Sequence, residues 1–335
     1  MPDADNYGNP DYPAQLAEMA RVLQLHRGPI AIASHVDADG DAVGSVLGLQ
    51  RALRALGKPA QAFLRVPNYL AFLPEAGEVS PPRAQLEPGT LLVVLDVDSS
   101  DPLRVEGVAI PSGAELVLNL DHHGTNSRRA DLSIVEPGKA ATCQLVKELV
   151  DSLGVPWTAD IATPVLLGLV TDTGSFRFMN TNGAVLRCAA ELVEWGASLS
   201  WINNHLSQQP KSHYALLVSV LSSMEFHFSD LVVSAQINQA MLDSAGAGWE
   251  EAEAFVNTIR SAQGTELAVL FKDYGDNVKI SLRSRGRVSA QAIAVACGGG
   301  GHHAAAGATL NLPYLEARAT VLGKIEEQLQ IDGLR

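Results

Sequence analysis

Histidine and aspartate side chains are concentrated in four short segments of the first half of the chain, and no cysteine stands within these segments. Carboxylate oxygens and imidazole nitrogens are ligands for hard or borderline divalent cations. The four segments therefore indicate a metal site if the fold brings them together. The candidate ligands are His35, Asp39, Asp41, Asp96, His122 and Asp172, with Asp121 and His123 beside them.

Each segment has a plainer interpretation when it is taken alone. The triplet 121–123 (DHH) could be a hydrogen-bonded loop, and the alternating acids of 37–41 (DADGD) could be a solvated turn. A calcium-binding EF-hand loop matches poorly, because a strand-like segment replaces the preceding helix and the closing glutamate is missing. A site is favoured because an apolar segment followed by an acid occurs four times.

The charge of the cluster indicates how many cations it would hold. Four carboxylates, those of Asp39, Asp41, Asp96 and Asp172, carry a combined charge of −4, which two divalent ions would cancel. The two histidines shift the preference from Mg²⁺ toward Mn²⁺, with Fe²⁺, Co²⁺ or Zn²⁺ as alternatives. Two ions about 3.5–4 Å apart activate a water and stabilise phosphoryl oxygens, so hydrolysis of a phosphate ester is the leading chemistry.

Three residues have predicted roles of their own in this chemistry. Asp96, on the central predicted strand, is the candidate to bridge the two ions. His123 would face the phosphate as a hydrogen-bond donor. Asp121 would orient a histidine through its other ring nitrogen.

Apolar segments precede the acidic clusters and predict the elements that position them. Residues 29–33, 91–98 and 116–121 are typical of buried strands, and the carboxyl ends of parallel strands meet at one edge of a sheet. A fourth apolar segment, 162–170, leads to Asp172. Helices are predicted at 13–26, after Asp41, at 140–153 and at 183–196. The pattern predicts an α/β fold whose N-terminal part is a mainly parallel sheet flanked by helices.

The length of 335 residues favours two domains over one core. We expect a catalytic domain over residues 1–196, a helical linker over 197–226 and a smaller α/β domain over 227–335, with a cleft for a small substrate. The smaller domain is predicted to contain a strand at 231–237, a helix at 250–261, a hairpin of 266–272 and 278–283, a helix at 290–297, a glycine-rich loop and a terminal helix after Pro313.

The overall charge limits the class of substrate. Lys plus Arg number 24 and Asp plus Glu number 37, which gives a formal charge of −13. Long nucleic acid is disfavoured, because its binding depends on neutralising phosphates. The chain starts without a signal-peptide pattern, no segment is apolar enough to span a membrane, and three well-separated cysteines suit a reducing cytoplasm.

Two features of the second half could bind an anion in this acidic protein. Arg283, Arg285 and Arg287 concentrate positive charge near a predicted strand end. Glycines 298–301, followed by His302 and His303, would let backbone amides approach a phosphate, although such a run is as often a flexible loop. The spacing fits neither a Rossmann fingerprint nor a P-loop.

The segments HVDADGDAVGS, VVLDVDSSD, LDHHGTN and GLVTDTGSFRF resemble, in order and spacing, the four motifs of the DHH phosphoesterase superfamily. The resemblance implies that two Mn²⁺ ions are bound and that His123 contacts the scissile phosphate. It assigns His35, Asp39 and Asp96 to one ion, and Asp41, Asp96, His122 and Asp172 to the other. The segments SLRSRG and GGGGHHAAAGA resemble the associated C-terminal domain, which implies nucleotide binding by Arg283, Arg285, Gly300, Gly301 and His302.

The overall pattern is most similar to the stand-alone nanoRNase group of this superfamily, whereas RecJ-type exonucleases have further domains. This similarity implies hydrolysis of very short oligoribonucleotides to 5′-mononucleotides and of 3′-phosphoadenosine 5′-phosphate to AMP. Hydrolysis of cyclic di-AMP or pApA is an alternative, and a nucleotide sensor without turnover is a distant one. A family inorganic pyrophosphatase fits the first domain alone, and a homodimer is one candidate assembly. Gln144 and His303 depart from the family pattern where an acid and a basic residue are common, which bears on the substrate.

Overall fold

The computed structural model describes residues 11–252, 255–301 and 303–335. The chain divides into two compact units, with the division between Gln208 and Gln209. None of the described helices is both long enough and apolar enough to cross a membrane.

The first unit is built on a sheet whose strand order is β3-β2-β1-β4-β6-β7. All neighbours on this path are parallel, and β5 pairs antiparallel with the end of β1. The predicted mainly parallel sheet is thus confirmed. The strands are β1 (Ile30–His35), β2 (Ala60–Phe63), β3 (Val79–Ser80), β4 (Leu91–Leu95), β5 (Val105–Glu106), β6 (Leu116–Asp121) and β7 (Leu132–Val135).

The helices of this unit pack on one face of the sheet. Alternate strand residues, such as Ile32 and Val93, join the core that the helices form, and the residues between them, such as Ala33 and Val94, pack against β5 and the segment 97–114. This explains why β4 is apolar throughout, since both of its faces are covered. The helices are α1 (Tyr12–Leu25), α2 (Gly40–Ala55), α3 (Thr142–Leu153), α4 (Ala159–Asp172), α5 (Gly183–Glu194) and α6 (Leu199–Ser207).

Helix α4 occupies the fourth apolar segment and lies very close to α2. A Cβ atom at Gly44 would overlap the carbonyl oxygen of Pro164, and one at Gly40 would overlap Thr171. Pro164 cannot donate to the carbonyl of Asp160 four residues earlier, and the guanidinium of Arg51 on α2 donates to that oxygen at 2.8 Å. The close approach sets the C-terminus of α4 beside the N-terminus of α2.

The second unit has a mixed sheet of order β12-β13-β11-β10-β9-β8, in which only β9 and β10 are parallel neighbours among the described strands. Its two buried clusters lie around this sheet and its helices. The elements are α7 (Lys211–Ser222), β8 (Glu225–His227), β9 (Val232–Asn238), α8 (Gln239–Ala245), a 3-10 turn (Trp249–Ala252), α9 (Phe255–Ile259), β10 (Leu267–Asp273), β11 (Val278–Ser284), α10 (Ala290–Ala296), β12 (Gly300–Gly301), β13 (Ala305–Leu310) and α11 (Tyr314–Ile331).

Two parts of the second half differ from the sequence prediction. The glycine-rich segment, which the sequence predicts to be a loop, contains β12 and the first part of β13, which pair antiparallel. The stretch 197–226, which the sequence predicts to be a helical linker between domains, does contain two helices, but each of them belongs to one of the units. Ile202 of α6 is buried in the core of the first unit, and Leu216 and Val220 of α7 are buried in the second.

Candidate two-metal centre

Three neighbouring strands end at the same edge of the sheet and deliver candidate ligands there. His35 is the last residue of β1, Asp96 directly follows β4 and Asp121 is the last residue of β6. Asp96 has a φ of 64°, a left-handed conformation that aspartate tolerates better than most side chains. Its amide donates to the carbonyl of Leu120 at 3.0 Å, which fixes this turn to the neighbouring strand.

Helix ends supply the remaining acids. Asp39 is the N-cap of α2 and accepts hydrogen bonds from the amides of Asp41 and Ala42 at 3.0 and 3.1 Å. Asp41 lies in the first turn of α2 and is fully buried, and Asp172 is the last residue of α4. The close packing of α2 on α4 therefore brings these carboxylates together.

The ligand atoms form two groups that meet at Asp96. In the first group, Nε2 of His35 lies 3.5 Å from Oδ2 of Asp96 and 3.8 Å from Oδ1 of Asp39. In the second, Nε2 of His122 lies 3.4 Å from Asp172, 3.5 Å from Oδ1 of Asp96 and 3.9 Å from Asp41. Within each of the sets His35-Asp39-Asp96 and Asp41-His122-Asp172, the ligand atoms all lie within 4.8 Å of one another.

The two histidines are oriented as metal ligands usually are. Nδ1 of His35 lies 2.8 Å from the carbonyl oxygen of Val36, and Nδ1 of His122 lies 3.3 Å from that of Lys139. A carbonyl can only accept, so Nδ1 carries a proton and Nε2 is the nitrogen that faces the carboxylates and would bind a cation. Two ligands about 2.1 Å from one ion lie about 3.0–3.5 Å apart when they are neighbours and about 4.2 Å apart when they are opposite, so separations of 3.4–3.9 Å fit divalent cations.

The electrostatics of the cluster show a need for positive charge. Burial and the neighbouring carboxylate of Asp41 raise the pKa of Asp96 to about 8 and that of Asp172 to about 10. Burial alone would lower the pKa of His35, but Asp39 and Asp96 outweigh it and raise the pKa to about 11. The metal-free cluster therefore retains protons that divalent cations would replace.

His123 is held by a buried polar chain next to the cluster. Its Nδ1 and its amide donate to Oδ1 of Asp121 at 2.8 and 3.0 Å. The side-chain amide of Asn126 donates to the other oxygen of Asp121, Oδ2, at 2.7 Å and to Oδ1 of Asn119 at 2.8 Å. The hydrogen bond to Asp121 raises the pKa of His123, although burial opposes it.

Comparison with known proteins identifies the family. Residues 29–169 match the DHH family, N-terminal domain, and residues 230–330 match the DHHA1 domain. The chain is 48% identical over 329 residues to the bifunctional oligoribonuclease and PAP phosphatase NrnA of Thermus thermophilus, and the match covers 98% of each protein. The chain belongs to the DHH family.

Solved structures share the DHH family fold found here. An exopolyphosphatase-related protein from Bacteroides fragilis has a TM-score of 0.85 at 22% identity, over 96% of this chain and 98% of that chain. RecJ from Thermus thermophilus in complex with Mn²⁺ has a TM-score of 0.57 at 13% identity, over 97% of this chain and 56% of the RecJ chain.

Several residues that contact the candidate ligands or Asp121 carry no signal in the sequence. The hydroxyl of Thr142 donates to Asp96. The side chain of Asn126 donates to Asp121 and also to Asn119, which holds Asn126 in place. All three are neutral residues within a predicted helix, strand or loop, and only the folded chain brings them to the acids. Gln144, a departure from the family pattern, is buried and accepts a hydrogen bond from the amide of Ala140 at 3.2 Å, which ties the chain just before α3 to the first turn of that helix.

The predicted nucleotide-binding residues of the DHHA1 domain lie in the second unit. Arg283 is on β11, and its guanidinium donates to the carbonyl of Leu282 at 3.0 Å. The guanidinium of Arg285 donates to the carbonyls of Arg260 and Ala262 at 2.9 and 3.3 Å. These arginines are thus anchored by backbone oxygens.

The glycine segment of the same domain is exposed, and His302 lies outside the described residues. Gly301 has a φ of 136°, and a Cβ atom there would lie 2.6 Å from Cα of Ala306. The strand pairing therefore explains the glycine at 301 without a ligand, while Gly300 has open space around it. His303, the other departure from the family pattern, is exposed.

Proposed function

We propose that this DHH family protein is a metal-dependent phosphoesterase that hydrolyses very short oligoribonucleotides to 5′-mononucleotides and 3′-phosphoadenosine 5′-phosphate to AMP. The observation that carries the proposal is the pair of ligand groups that share Asp96, with His123 beside them. The relative from Thermus thermophilus, named for both activities, matches along almost the whole chain.

The cofactor in this proposal is a pair of Mn²⁺ ions, held by His35, Asp39 and Asp96 and by Asp41, Asp96, His122 and Asp172. Such a pair supplies an activated water and stabilises charge on phosphoryl oxygens. Mixed carboxylate and imidazole ligands favour Mn²⁺ over Mg²⁺. RecJ from Thermus thermophilus, which shares the fold, has structures with Mn²⁺ and with Mg²⁺ and is consistent with a divalent cation at this centre.

His123 has the role of a phosphate donor in this reaction. Because Asp121 accepts from Nδ1, Nε2 is the ring nitrogen that can point at a substrate oxygen, and it donates to that oxygen when the imidazole is protonated. The side chain is 40% exposed, whereas that of Asp121 is fully buried, so only the histidine can reach the substrate. Asn126 keeps the carboxylate of Asp121 from rotating.

The second unit supplies nucleotide recognition through Arg283, Arg285, Gly300, Gly301 and His302. Arginine guanidinium groups bind phosphate and stack on bases, which suits a substrate of one to a few nucleotides. The net charge of −13 supports short substrates over long ones, because a long strand would need an extended basic surface.

A reducing, cytoplasmic location is part of the proposal. Cys143 and Cys188 are buried, Cys297 is half-buried, and all three are free thiols. Free thiols of this kind are typical of proteins that remain in a reducing compartment.

A substrate panel with added Mn²⁺ tests the function. Di- to pentaribonucleotides, 3′-phosphoadenosine 5′-phosphate, cyclic di-AMP, pApA and pyrophosphate are incubated with the wild type and with Asp172→Asn, and products are separated by chromatography. We expect 5′-mononucleotides and AMP from the first two classes, and no product from the variant. Turnover of cyclic di-AMP or pyrophosphate in preference to both would contradict the proposal, and nucleotide binding without any turnover would indicate a sensor.

A further inference from the structure

The first turn of α3 lies beneath the metal centre and contacts two of its carboxylates. The amide of Thr142 donates to Oδ2 of Asp41 at 2.6 Å, and the amide of Cys143 donates to Oδ1 at 2.8 Å. The hydroxyl of Thr142 donates to Oδ1 of Asp96 at 2.8 Å. Thr142 is fully buried, so it cannot reach a substrate. One residue thus touches an acid from each ligand group.

The backbone contacts have a structural explanation of their own. The N-cap of α3 is Ala141, which has no side chain to accept from the first amides of the helix. Asp41, about a hundred residues earlier in the chain, satisfies two of these amides and lies at the positive end of the helix dipole. A helix cap accounts for both hydrogen bonds of Asp41.

The hydroxyl contact is not explained by capping, because its acceptor is Asp96. The two oxygens of Asp96 face different partners: Oδ1 lies 3.5 Å from Nε2 of His122, and Oδ2 lies 3.5 Å from Nε2 of His35. A carboxylate that serves both groups must keep this rotation about its Cβ–Cγ bond. The hydrogen bond from Thr142 fixes the rotation through Oδ1.

We propose that Thr142 is a positioning residue that holds Asp96 in the orientation needed to bridge two divalent cations. The proposal rests on the proposed function for its effect on turnover, but its effect on cation binding is independent of any substrate. Removal of a residue that orients a metal ligand typically weakens metal binding or activity by about 10- to 100-fold.

The test compares Thr142→Val, which removes the hydroxyl and keeps the branched shape, with Thr142→Ser, which keeps the hydroxyl. Thr265→Val is the matched control, because Thr265 is also buried and its hydroxyl donates to the carbonyl of Ala262, in the second unit. Binding of Mn²⁺ is measured by calorimetry on the metal-free full chain, and folding is checked by thermal unfolding.

We expect Thr142→Val to weaken Mn²⁺ binding by about 10-fold or more and to lower kcat with little change in KM at saturating Mn²⁺. Thr142→Ser should restore most of the binding, and Thr265→Val should match the wild type. Wild-type Mn²⁺ binding by a folded Thr142→Val protein would overturn the proposal. Equal loss in the serine and valine variants would also overturn it, since packing rather than the hydroxyl would then be responsible.

A failure of the proposed function gives a different result. If the wild type binds Mn²⁺ but hydrolyses no nucleotide, the function is wrong, and the calorimetric comparison still decides the role of Thr142.

Discussion

The Nδ1 atom of His123 lies 2.8 Å from Oδ1 of Asp121, and Asn126 donates to the other oxygen of the same carboxylate at 2.7 Å. The carboxylate therefore fixes both the orientation and the tautomer of the imidazole. Because Asp121 faces His123 rather than the ligand atoms, its removal should affect turnover more than cation binding.

Asp121→Asn should lower kcat by about 100-fold, since an amide does not stabilise the charged imidazole as a carboxylate does. Steady-state kinetics at saturating Mn²⁺ measure the effect, and calorimetry should show Mn²⁺ binding close to that of the wild type. Asp131→Asn is the control, because Asp131 is in the same unit and accepts a hydrogen bond from the amide of Val117 near the start of β6, away from His123. A parallel loss of Mn²⁺ binding in Asp121→Asn would place Asp121 among the ligands instead.

The contact of α2 with α4 predicts a stability effect at a residue that has no polar group. Gly44→Ala places a methyl group against the backbone of Pro164, so the helices must separate. We expect a loss of about 1–3 kcal/mol in the free energy of unfolding and weaker Mn²⁺ binding, because Asp41 and Asp172 move apart.

Gly323→Ala is the matched control for this change. Gly323 is also within a helix, but a Cβ atom there meets open space, so the substitution should be neutral or stabilise by about 0.4–1 kcal/mol. Denaturant unfolding measures both variants. Equal stability of the two variants would contradict the close packing of α2 on α4.

The raised pKa values predict how the metal-free protein responds to pH. Burial and nearby carboxylates raise the pKa of Asp96 to about 8 and of Asp172 to about 10, so the folded state binds these protons more tightly than the unfolded chain. Their contribution to stability is complete below the ordinary aspartate pKa of about 4 and is lost as pH rises through about 8 and 10. The pKa of His35, for which burial is outweighed by Asp39 and Asp96, is raised to about 11 and acts in the same direction.

Without metal, Tm should therefore fall by about 5 °C or more between about pH 5.5 and about pH 9. Saturating Mn²⁺ should remove most of this slope, because cations replace the protons. Asp172→Asn should have a flatter slope without metal, since it lacks one of the titrating groups. A metal-free Tm that is constant or rises over this range would be incompatible with a cluster of buried carboxylates.

The strand ends could be predicted from the sequence because apolar runs stop at histidine in β1 and at aspartate after β4 and in β6. Strands that are buried on both faces are apolar at every position, so they can be recognised as continuous apolar runs without alternating polar residues. The left-handed backbone conformation of Asp96 could not be predicted from the sequence, because it depends on the hydrogen bond that its amide donates to the carbonyl of Leu120 on a neighbouring strand.

The elements around these strands depend on distant contacts. The composition of the apolar segment before Asp172 is compatible with a strand or a helix. It forms a helix that packs closely on α2, because Gly40 and Gly44 of α2 have no side chains that would keep the two helices apart. Thr142 carries no charge, and its partners are 46 and 101 residues away in sequence. The glycines before His303 read as a loop, because a strand that lacks side chains leaves no periodic pattern.

The arginines of the second unit predict that their removal weakens the binding of nucleotides but not of simple phosphodiesters. Arg285→Ala should raise KM for 3′-phosphoadenosine 5′-phosphate by about 10-fold or more, because it removes charge-assisted hydrogen bonds, and should leave a simple artificial phosphodiester nearly unaffected. Arg287→Ala is the control, since Arg287 pairs with Glu266 at 3.2 Å. Equal losses on both substrates, or a large fall in Tm, would indicate that Arg285 serves mainly to hold the carbonyls of Arg260 and Ala262.

Anomalous diffraction from crystals of the wild-type protein grown with Mn²⁺ tests the central claim most directly. The structure predicts two manganese peaks, one among His35, Asp39 and Asp96 and one among Asp41, His122 and Asp172, with an oxygen of Asp96 directed at each. A single peak, or peaks at other side chains, would contradict the assignment of a two-ion centre.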